Sequence, residues 1–137
     1  MTRINVVPVE ELCDEHLRAE HRELTRIPNG IVTGKLSGLG APKSYTVRTE
    51  DNPDGGRGHI KFFYDKLGYL HKRYQEILKE LDKRGFKCEN RWNPATLNVE
   101  YQRLWNNYEP TEEALKLNRK RISERVPKNA HYYSKRI

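Results

Sequence analysis

Near the start of the chain, mostly apolar residues recur every three or four positions. This is the period of an amphipathic helix, in which such residues form one apolar stripe. The stripe consists of Val9, Leu12, Cys13, His16 and Leu17. This spacing predicts a first helix from about Val9 to Thr25, with Pro8 suited to its first turn. The sequence Pro-Asn-Gly at 28–30 predicts the end of the helix.

A second stripe with the same period is longer and clearer. It consists of Phe63, Leu67, Leu70, Tyr74, Ile77, Leu78 and Leu81. The stripe predicts a helix from about His59 to Arg84, with Gly85 as the glycine that follows a helix end. At 1.5 Å per residue this helix would be roughly 35 to 40 Å long, enough for the spine of a domain.

The regions flanking the second helix lack a clean period. Residues 28–58 hold seven glycines and three prolines, and only Tyr45–Val47 looks extended. We expect a long ordered loop there, with helical turns. Residues 86–109 carry two tryptophans and two tyrosines, and we expect them to cap the core irregularly.

A third helix is predicted to begin near Thr111, because Pro110 precedes it and two glutamates suit a helix N-terminus. Pro127 would end it, and its inward residues would be Leu115, Ile122 and Val126. Together the elements predict an all-α fold, a compact single domain over 1–137 of three main helices with long ordered loops.

The charge of the chain indicates a polyanionic partner. Lysine and arginine exceed the acidic residues by 7, and the pI is about 9.5. From Pro110 to the end there are eight Lys/Arg against three Glu, a net +5, so the excess is concentrated there. Nucleic acid is the expected partner.

Membrane and metal chemistry are not indicated. No stretch approaches the roughly 18 apolar residues of a membrane span, and there is no signal peptide pattern, so we expect a soluble intracellular protein. Cys13 and Cys88 belong to no Cys/His cluster, so neither a metal site nor a disulfide framework is expected.

Three arginines form a ridge on the first helix. Arg18, Arg22 and Arg26 follow one another at four-residue steps and each advances about 40° around the helix axis. Such a ridge could follow a phosphate backbone, or it could be an ordinary solvated face. Glu23 lies between the ridge and the core, near Glu20, and partly buried acids at a core edge are uncommon without a partner.

The N-terminus offers a candidate nucleophile. No Ser/His/Asp or Cys/His arrangement is convincing, but Met1 is followed by Thr2, whose small side chain permits removal of the initiator methionine. An α-amine titrates near 7.7 to 8.0, so roughly a tenth or more of it is uncharged at neutral pH. Nearby Arg3 and the ridge would lower that pKa. An ordinary frayed terminus is the alternative.

Five sequence blocks resemble the phage pyrimidine-dimer DNA glycosylases, also called UV endonuclease V. They are MTRIN at the start, HLRAEHRELTRI at 16–27, GHIKFFYDKL at 58–67, LDKRGF at 81–86, and P-x-x-x-x-YY-x-K at 127–135. The blocks keep their order and nearly their spacing along the whole chain. The resemblance is clearest in residues 1–26 and 58–86.

The resemblance implies an all-α enzyme that removes a UV-damaged base from double-stranded DNA and nicks the strand, without metal or cofactor. The α-amine of the residue matching Thr2 would attack C1′ and form an imine, and Glu23 would assist at the sugar and in β-elimination. Arg3, Arg22 and Arg26 would hold phosphates. Independently of the resemblance, the place of His16 on the apolar stripe makes it either a hydrogen-bonded core histidine or a site residue near Glu23 that contacts DNA.

The family also kinks the duplex and flips out the opposite adenine, which requires phosphate contacts on both sides of the lesion. The third helix would supply the second set, with Lys116, Arg119, Lys120, Arg121 and Arg125 as candidates and Arg121 as the best match. In the tail, Tyr132, Tyr133 and Lys135 would contact DNA.

Two departures from the family pattern leave alternatives open. The third helix is about one turn shorter, and the tail lacks a tryptophan ahead of its tyrosine pair. The alternatives are an abasic-site lyase, a glycosylase for another lesion, or a non-catalytic basic DNA-binding protein. The expected state is a monomer acting on lesion-bearing or abasic duplex in the cytoplasm, and the resemblance is compatible with a phage-encoded protein.

Overall fold

The computed structural model describes residues 4–38, 41–51 and 59–133. These residues form four α-helices: α1 (Asp14–Leu24), α2 (Arg26–Val32), α3 (Leu67–Lys83) and α4 (Glu112–Arg125). Short 3₁₀ helices lie at Val9–Glu11, Lys61–Phe63, Pro94–Leu97 and Val99–Leu104. Within the described ranges there is no strand, so the predicted all-α fold is confirmed.

The prediction that Pro-Asn-Gly ends the first helix is wrong. A break at Thr25 separates α1 from α2, and α2 then continues through Pro28 to Val32. Pro28 is tolerated because it stands in the first turn of α2, where its missing N–H would have no partner in the helix. The start of α1 also differs, because a 3₁₀ turn precedes it and the extended Leu12 and Cys13 separate the two.

The second predicted helix begins later than expected. A 3₁₀ turn occupies Lys61–Phe63, and Lys66 leaves the helical conformation before α3 begins at Leu67. With 17 residues, α3 is about 25 Å long. Its predicted end is confirmed, since Gly85 has φ +92° and its amide donates to the Asp82 carbonyl. The amide of Phe86 donates to the Leu81 carbonyl, which completes a Schellman motif.

The third predicted helix is α4. The side chain of Thr111 accepts a hydrogen bond from the amide of Ala114 and thereby caps its N-terminus. Leu115 and Ile122 pack partly buried against the core, but Val126 is exposed, which corrects its predicted inward position. The buried residues of α4 are instead Ala114 and Asn118.

The core lies between α1 and α3. Leu17 and Leu24 of α1 and Leu70, Ile77 and Leu81 of α3 are all fully buried. A second part of the core is aromatic, where the rings of Tyr45, Phe62, Phe63, Tyr69 and Tyr108 contact one another, mostly edge to face.

The irregular segment 86–109 covers one side of this core, as predicted. The indole N–H groups of Trp92 and Trp105 both donate to Thr96, to its hydroxyl and its carbonyl respectively. Cys13 is buried and Cys88 exposed, and neither forms a disulfide. Within the described part of the chain, no helix is long and apolar enough to cross a membrane.

Candidate functional site

A pocket of about 260 Å³ opens beside the C-terminal end of α1. Its apolar residues are Ile4, Ile27, Leu36 and Ile60; its polar lining comprises Glu23, Arg26, Lys35 and Tyr64, and Gly30 completes the wall. We call it the Glu23 pocket. It brings the end of α1 and the start of α2 together with the N-terminal segment and the residues before α3.

Glycine at position 30 is needed for the wall of the Glu23 pocket. A Cβ atom there would lie 2.6 Å from the side chain of Leu36, so Leu36 would have to shift. The amide of Leu36 donates to the Gly30 carbonyl at 3.1 Å, which fixes the loop against α2. The close approach of α2 and the following loop therefore depends on Gly30.

Glu23 and Glu20 have different surroundings although they lie one turn apart on α1. Glu20 is fully buried and ion-paired with Arg73, with 2.8 Å from Nε to Oε2 and 3.1 Å from Nη2 to Oε1. Burial disfavours the charge of Arg73, but its pairing with Glu20 outweighs this and holds the pKa of the guanidinium above its ordinary value. Glu23 is half-buried in the wall of the pocket.

The N-terminal segment Ile4–Val7 lies buried between α1, α3 and α4. The amides of Val6 and Val7 both donate to Oδ1 of Asn118, at 2.7 and 3.2 Å. The side-chain amide of Asn5 donates to Oε1 of Glu20 at 2.8 Å. The described chain therefore enters the protein next to the Glu23 pocket, with Ile4 in the pocket wall.

The arginine ridge of α1 and α2 stays at the surface. Arg22 and Arg26 are exposed, and Arg26 lines the Glu23 pocket. The guanidinium of Arg18 lies 5.0 Å from the ring centroid of Phe86, a cation–π contact that gives this residue a packing partner. Positive charge is thus present next to the pocket, although Arg18 already has a partner elsewhere.

His16 is completely buried on the same helix. Its Nε2–H donates to the carbonyl oxygen of Arg125 at 3.1 Å, which joins α1 to the end of α4. Burial lowers the pKa of the imidazole. The structure gives His16 a contact between helices, and a role toward DNA stays a prediction.

The basic residues of α4 contact other parts of the protein. Arg119 forms a two-pronged ion pair with Glu11 at 2.9 and 2.8 Å, and Lys120 pairs with Asp51. Arg121 donates from Nη1 to the carbonyl oxygen of Arg48 at 2.7 Å. The side chain of Arg125 is exposed.

The tail docks against the start of α1 and the end of α3. Nδ1 of His131 lies 2.7 Å from Oε1 of Glu15. Lys83 and Arg84 approach the ring of Tyr133 at 5.4 and 6.0 Å. Tyr132 is half-buried, and burial raises the pKa of its hydroxyl.

Three predicted site residues, Thr2, Arg3 and Lys135, lie outside the described residues. Sequence reasoning missed Lys35 and Tyr64 in the pocket, and also Arg73 and Asn118. A polar residue at an inward position of a helix was the available signal for Asn118, because asparagine is a weak helix former. Among the described side chains, no group of three His, Cys, Asp or Glu could hold a metal ion.

Comparison with known families adds a finding that depends on none of these contacts. A family model described as pyrimidine dimer DNA glycosylase matches residues 1–94. The matched region contains α1, α2, α3 and every residue that lines the Glu23 pocket.

Proposed function

The chain belongs to the pyrimidine dimer DNA glycosylase family, and from this membership we propose a two-step reaction at the Glu23 pocket. The enzyme is a DNA repair glycosylase that acts on DNA containing pyrimidine dimers. In the proposal, the α-amine of Thr2 displaces the damaged base from C1′, and the same covalent intermediate then nicks the strand by β-elimination.

The observation that carries the proposal is the position of Ile4 in the wall of the pocket that Glu23 lines. Consecutive Cα atoms are 3.8 Å apart, so the Cα of Thr2 can be no farther than about 7 to 8 Å from that of Ile4. The side chain of Ile4 is itself only 1% exposed and packs in the core. This short covalent link to Ile4 supports the proposal that the α-amine of Thr2 acts at the Glu23 pocket.

The first step requires an uncharged amine and a means to stabilise positive charge at the sugar. An α-amine supplies the former near neutral pH. Its nitrogen bonds to C1′ while the glycosidic bond breaks, and the base leaves with the electron pair and takes up a proton. The carboxylate of Glu23 would stabilise the charge that develops at C1′ and O4′.

The second step follows from the iminium. The attacking nitrogen gives up a proton, the C1′–O4′ bond breaks with its electron pair going to O4′, which takes up a proton, and the resulting C1′=N⁺ iminium acidifies the C2′ proton. A base removes that proton, a C2′–C3′ double bond forms, and the 3′ phosphate leaves with the electrons of the C3′–O bond. Glu23 is the carboxylate of the pocket and is proposed to take part in these proton transfers.

The phosphate contacts complete the proposal. Arg22 and Arg26 are exposed near Glu23 and are proposed to hold phosphates beside the lesion, together with Arg3. A second set of contacts would come from α4 and the tail, which include Lys120, Arg121, Arg125, Tyr132, Tyr133 and Lys135. Several of these already contact the protein, so DNA would have to compete with Asp51 for Lys120. A monomer has all of these parts.

Borohydride trapping tests the proposal directly. Protein lacking Met1 is mixed with duplex DNA that holds an abasic site, and borohydride should reduce the imine to a stable protein–DNA adduct on a gel. A matched protein with an N-terminal extension before Thr2 should bind the same DNA and give no adduct. Absence of an adduct with the processed protein would rule out the imine.

A comparison of substrates separates the proposed glycosylase from an enzyme that acts on abasic sites alone. UV-irradiated duplex, undamaged duplex and abasic duplex are incubated in parallel. The proposal expects strand breaks in the first and the third. Cleavage of abasic duplex alone would instead identify an abasic-site lyase.

A further inference from the structure

The segment Ile4–Val7 is held by a buried polar network, although it belongs to no helix. Its four residues are between 0 and 5% exposed. Buried backbone amides and carbonyls must find partners, and here side chains supply them. The carbonyl of Asn5 also accepts from the Tyr69 hydroxyl at 3.5 Å.

Asn118 is the first of two residues at the centre of this network. Its Oδ1 accepts from two consecutive amides, those of Val6 and Val7, and its Nδ2 donates to Oδ1 of Asn5 at 2.9 Å. An asparagine inside α4 does not favour the helix, and a leucine would fill the same buried space. The polar group is therefore matched to the backbone of the N-terminal segment.

Arg73 is the second residue at the centre. Its guanidinium donates to both carboxylate oxygens of Glu20 and to the carbonyl oxygen of Val7. A buried ion pair often stabilises a protein no more than apolar residues of the same size would. We therefore expect the Arg73–Glu20 pair to favour one arrangement of the chain rather than to add to overall stability. Here Arg73 binds the carbonyl of Val7, while Asn118 binds the amide of the same residue.

The network selects one register of the N-terminal segment. A slip by one residue would place Ile4 or Val6 where Asn5 now stands beside Glu20 and Asn118, and neither has an amide side chain to make those hydrogen bonds. The slip would also leave the buried carboxylate of Glu20 and the buried side-chain amide of Asn118 without their hydrogen bonds to Asn5. Such a slip would displace the chain, and the α-amine with it, by roughly 3.5 Å.

We infer that Asn118 and Arg73 are positioning residues that fix the register of Asn5–Val7 and thereby deliver the N-terminal amine to the Glu23 pocket. This inference rests on the proposed function. It gives α4 a role in the reaction separate from phosphate binding, and it links Arg73 on α3 to catalysis through the backbone of residues 5–7.

The test compares two equivalent substitutions, one within α3 and one at the residue that follows its last turn. Arg73→Lys removes the fork that joins Glu20 to Val7. Arg84→Lys is the matched control, because Arg84 is also a buried arginine in an ion network, with Glu80 and Asp14, and it touches none of residues 4–7. A third variant, Asn118→Leu, keeps the branched shape of the side chain and removes the acceptor.

Three quantities are measured on each protein: the single-turnover rate of borohydride-trappable adduct at saturating abasic duplex, the affinity for duplex holding a non-cleavable abasic analogue, and hydrogen exchange of the Val6 and Val7 amides. Arg73→Lys and Asn118→Leu should each slow adduct formation by about 100-fold, as a misplacement of about 1 Å can. Both should speed exchange and leave affinity near wild type. Arg84→Lys should keep the wild-type adduct rate and exchange.

The outcomes separate the inference from the proposed function. Equal slowing by Arg73→Lys and Arg84→Lys, or slowing that only follows a loss of DNA affinity, would overturn the positioning role while the imine mechanism stands. If the wild-type protein gives no adduct, the imine mechanism is wrong, and the register of residues 5–7 then has no role in catalysis. Exchange at Val6 and Val7 would still decide whether the network holds the segment.

Discussion

Glu20 and Glu23 lie one turn apart on α1, and their partners give them different tasks. The buried carboxylate of Glu20 accepts hydrogen bonds from Arg73 and Asn5, so it has a structural role. Glu23 lines the pocket that also receives Ile4. At the scale of single residues, the proposed chemistry therefore depends on Glu23 and the amine of Thr2.

Glu23→Gln should slow strand cleavage by about 10² to 10⁴-fold, because a neutral amide neither stabilises positive charge at the sugar nor takes up a proton. DNA binding should remain close to wild type. Cleavage of abasic duplex is measured in single-turnover reactions beside a binding titration. Glu100→Gln, at an exposed position of the 3₁₀ helix Val99–Leu104, is the control and should cleave normally. Wild-type cleavage by Glu23→Gln would remove Glu23 from the mechanism.

At the scale of elements, the ends of the helices decide how the pocket is built. The break at Thr25 separates α1 from α2, and Arg26 and Ile27 at the start of α2 line the pocket. At the far end of the molecule, α3 stops at a Schellman motif whose C′ residue, Gly85, has a positive φ. There the chain turns into the irregular segment that covers the core.

Gly85→Ala should destabilise the protein by about 1 kcal/mol, because an L-residue in the left-handed region brings its Cβ close to the backbone. A Cβ at this position would meet no other atom within 4 Å, so the cost is purely conformational. Urea denaturation measures it. Gly85→Asn should cost less, since asparagine tolerates this region better. Equal loss from both substitutions would point to a different cause.

At the scale of the whole molecule, the excess of +7 is not uniformly available to DNA. The buried arginines Arg73 and Arg84 neutralise internal carboxylates, and Arg119 pairs with Glu11. Arg22 and Arg26 are exposed beside the Glu23 pocket. Exposed positive charge is thus present beside the candidate site, where it can contact phosphate.

Arg26→Gln should lower the slope of log K against log salt by about 1 in magnitude, which is the loss of one phosphate contact. Binding to abasic-analogue duplex is titrated at several salt concentrations. Lys79→Gln removes the same charge from an exposed position on α3 and should leave the slope unchanged. Equal changes in both variants would indicate that only net charge matters.

The fully buried His16 and the half-buried His59 predict how stability depends on pH. Burial lowers the pKa of His16 and of His59, whose Nδ1–H donates to the Thr46 carbonyl. In the unfolded chain each titrates near 6.5, so below that pH the unfolded state binds more protons than the folded state. The free energy of unfolding should therefore be highest above about pH 6.5 and fall as the pH is lowered.

Urea denaturation at several pH values between about 7.5 and 5.5 measures this dependence. The wild-type midpoint should fall toward the acid end of the range. His59→Gln should have lower stability at the upper end and a shallower pH dependence. A midpoint that rises on acidification would contradict a lowered pKa for these two histidines in the folded protein.

The sequence by itself determined the features that depend on near neighbours in the chain. The periods of α1, α3 and α4, the cap at Thr111 and the stop at Gly85 each arise from residues within about four positions of one another. The family motifs, which include the start of the chain and Glu23, could likewise be recognised in the sequence. The prediction of a helix end at Pro28 was wrong because the effect of proline depends on its position: proline breaks the interior of a helix but fits its first turn.

Only the tertiary structure decided which distant residues meet. Asn118 reaches Val6 across 112 positions, and Arg73 reaches Glu20 across 53. A helical period records that a residue faces inward and carries no information on its partner, so the buried network could not be read from it. Likewise, Lys35, Leu36 and Tyr64 join the Glu23 pocket only because the chain folds back on α2. The parts are local in sequence, and the geometry that brings them together depends on long-range packing.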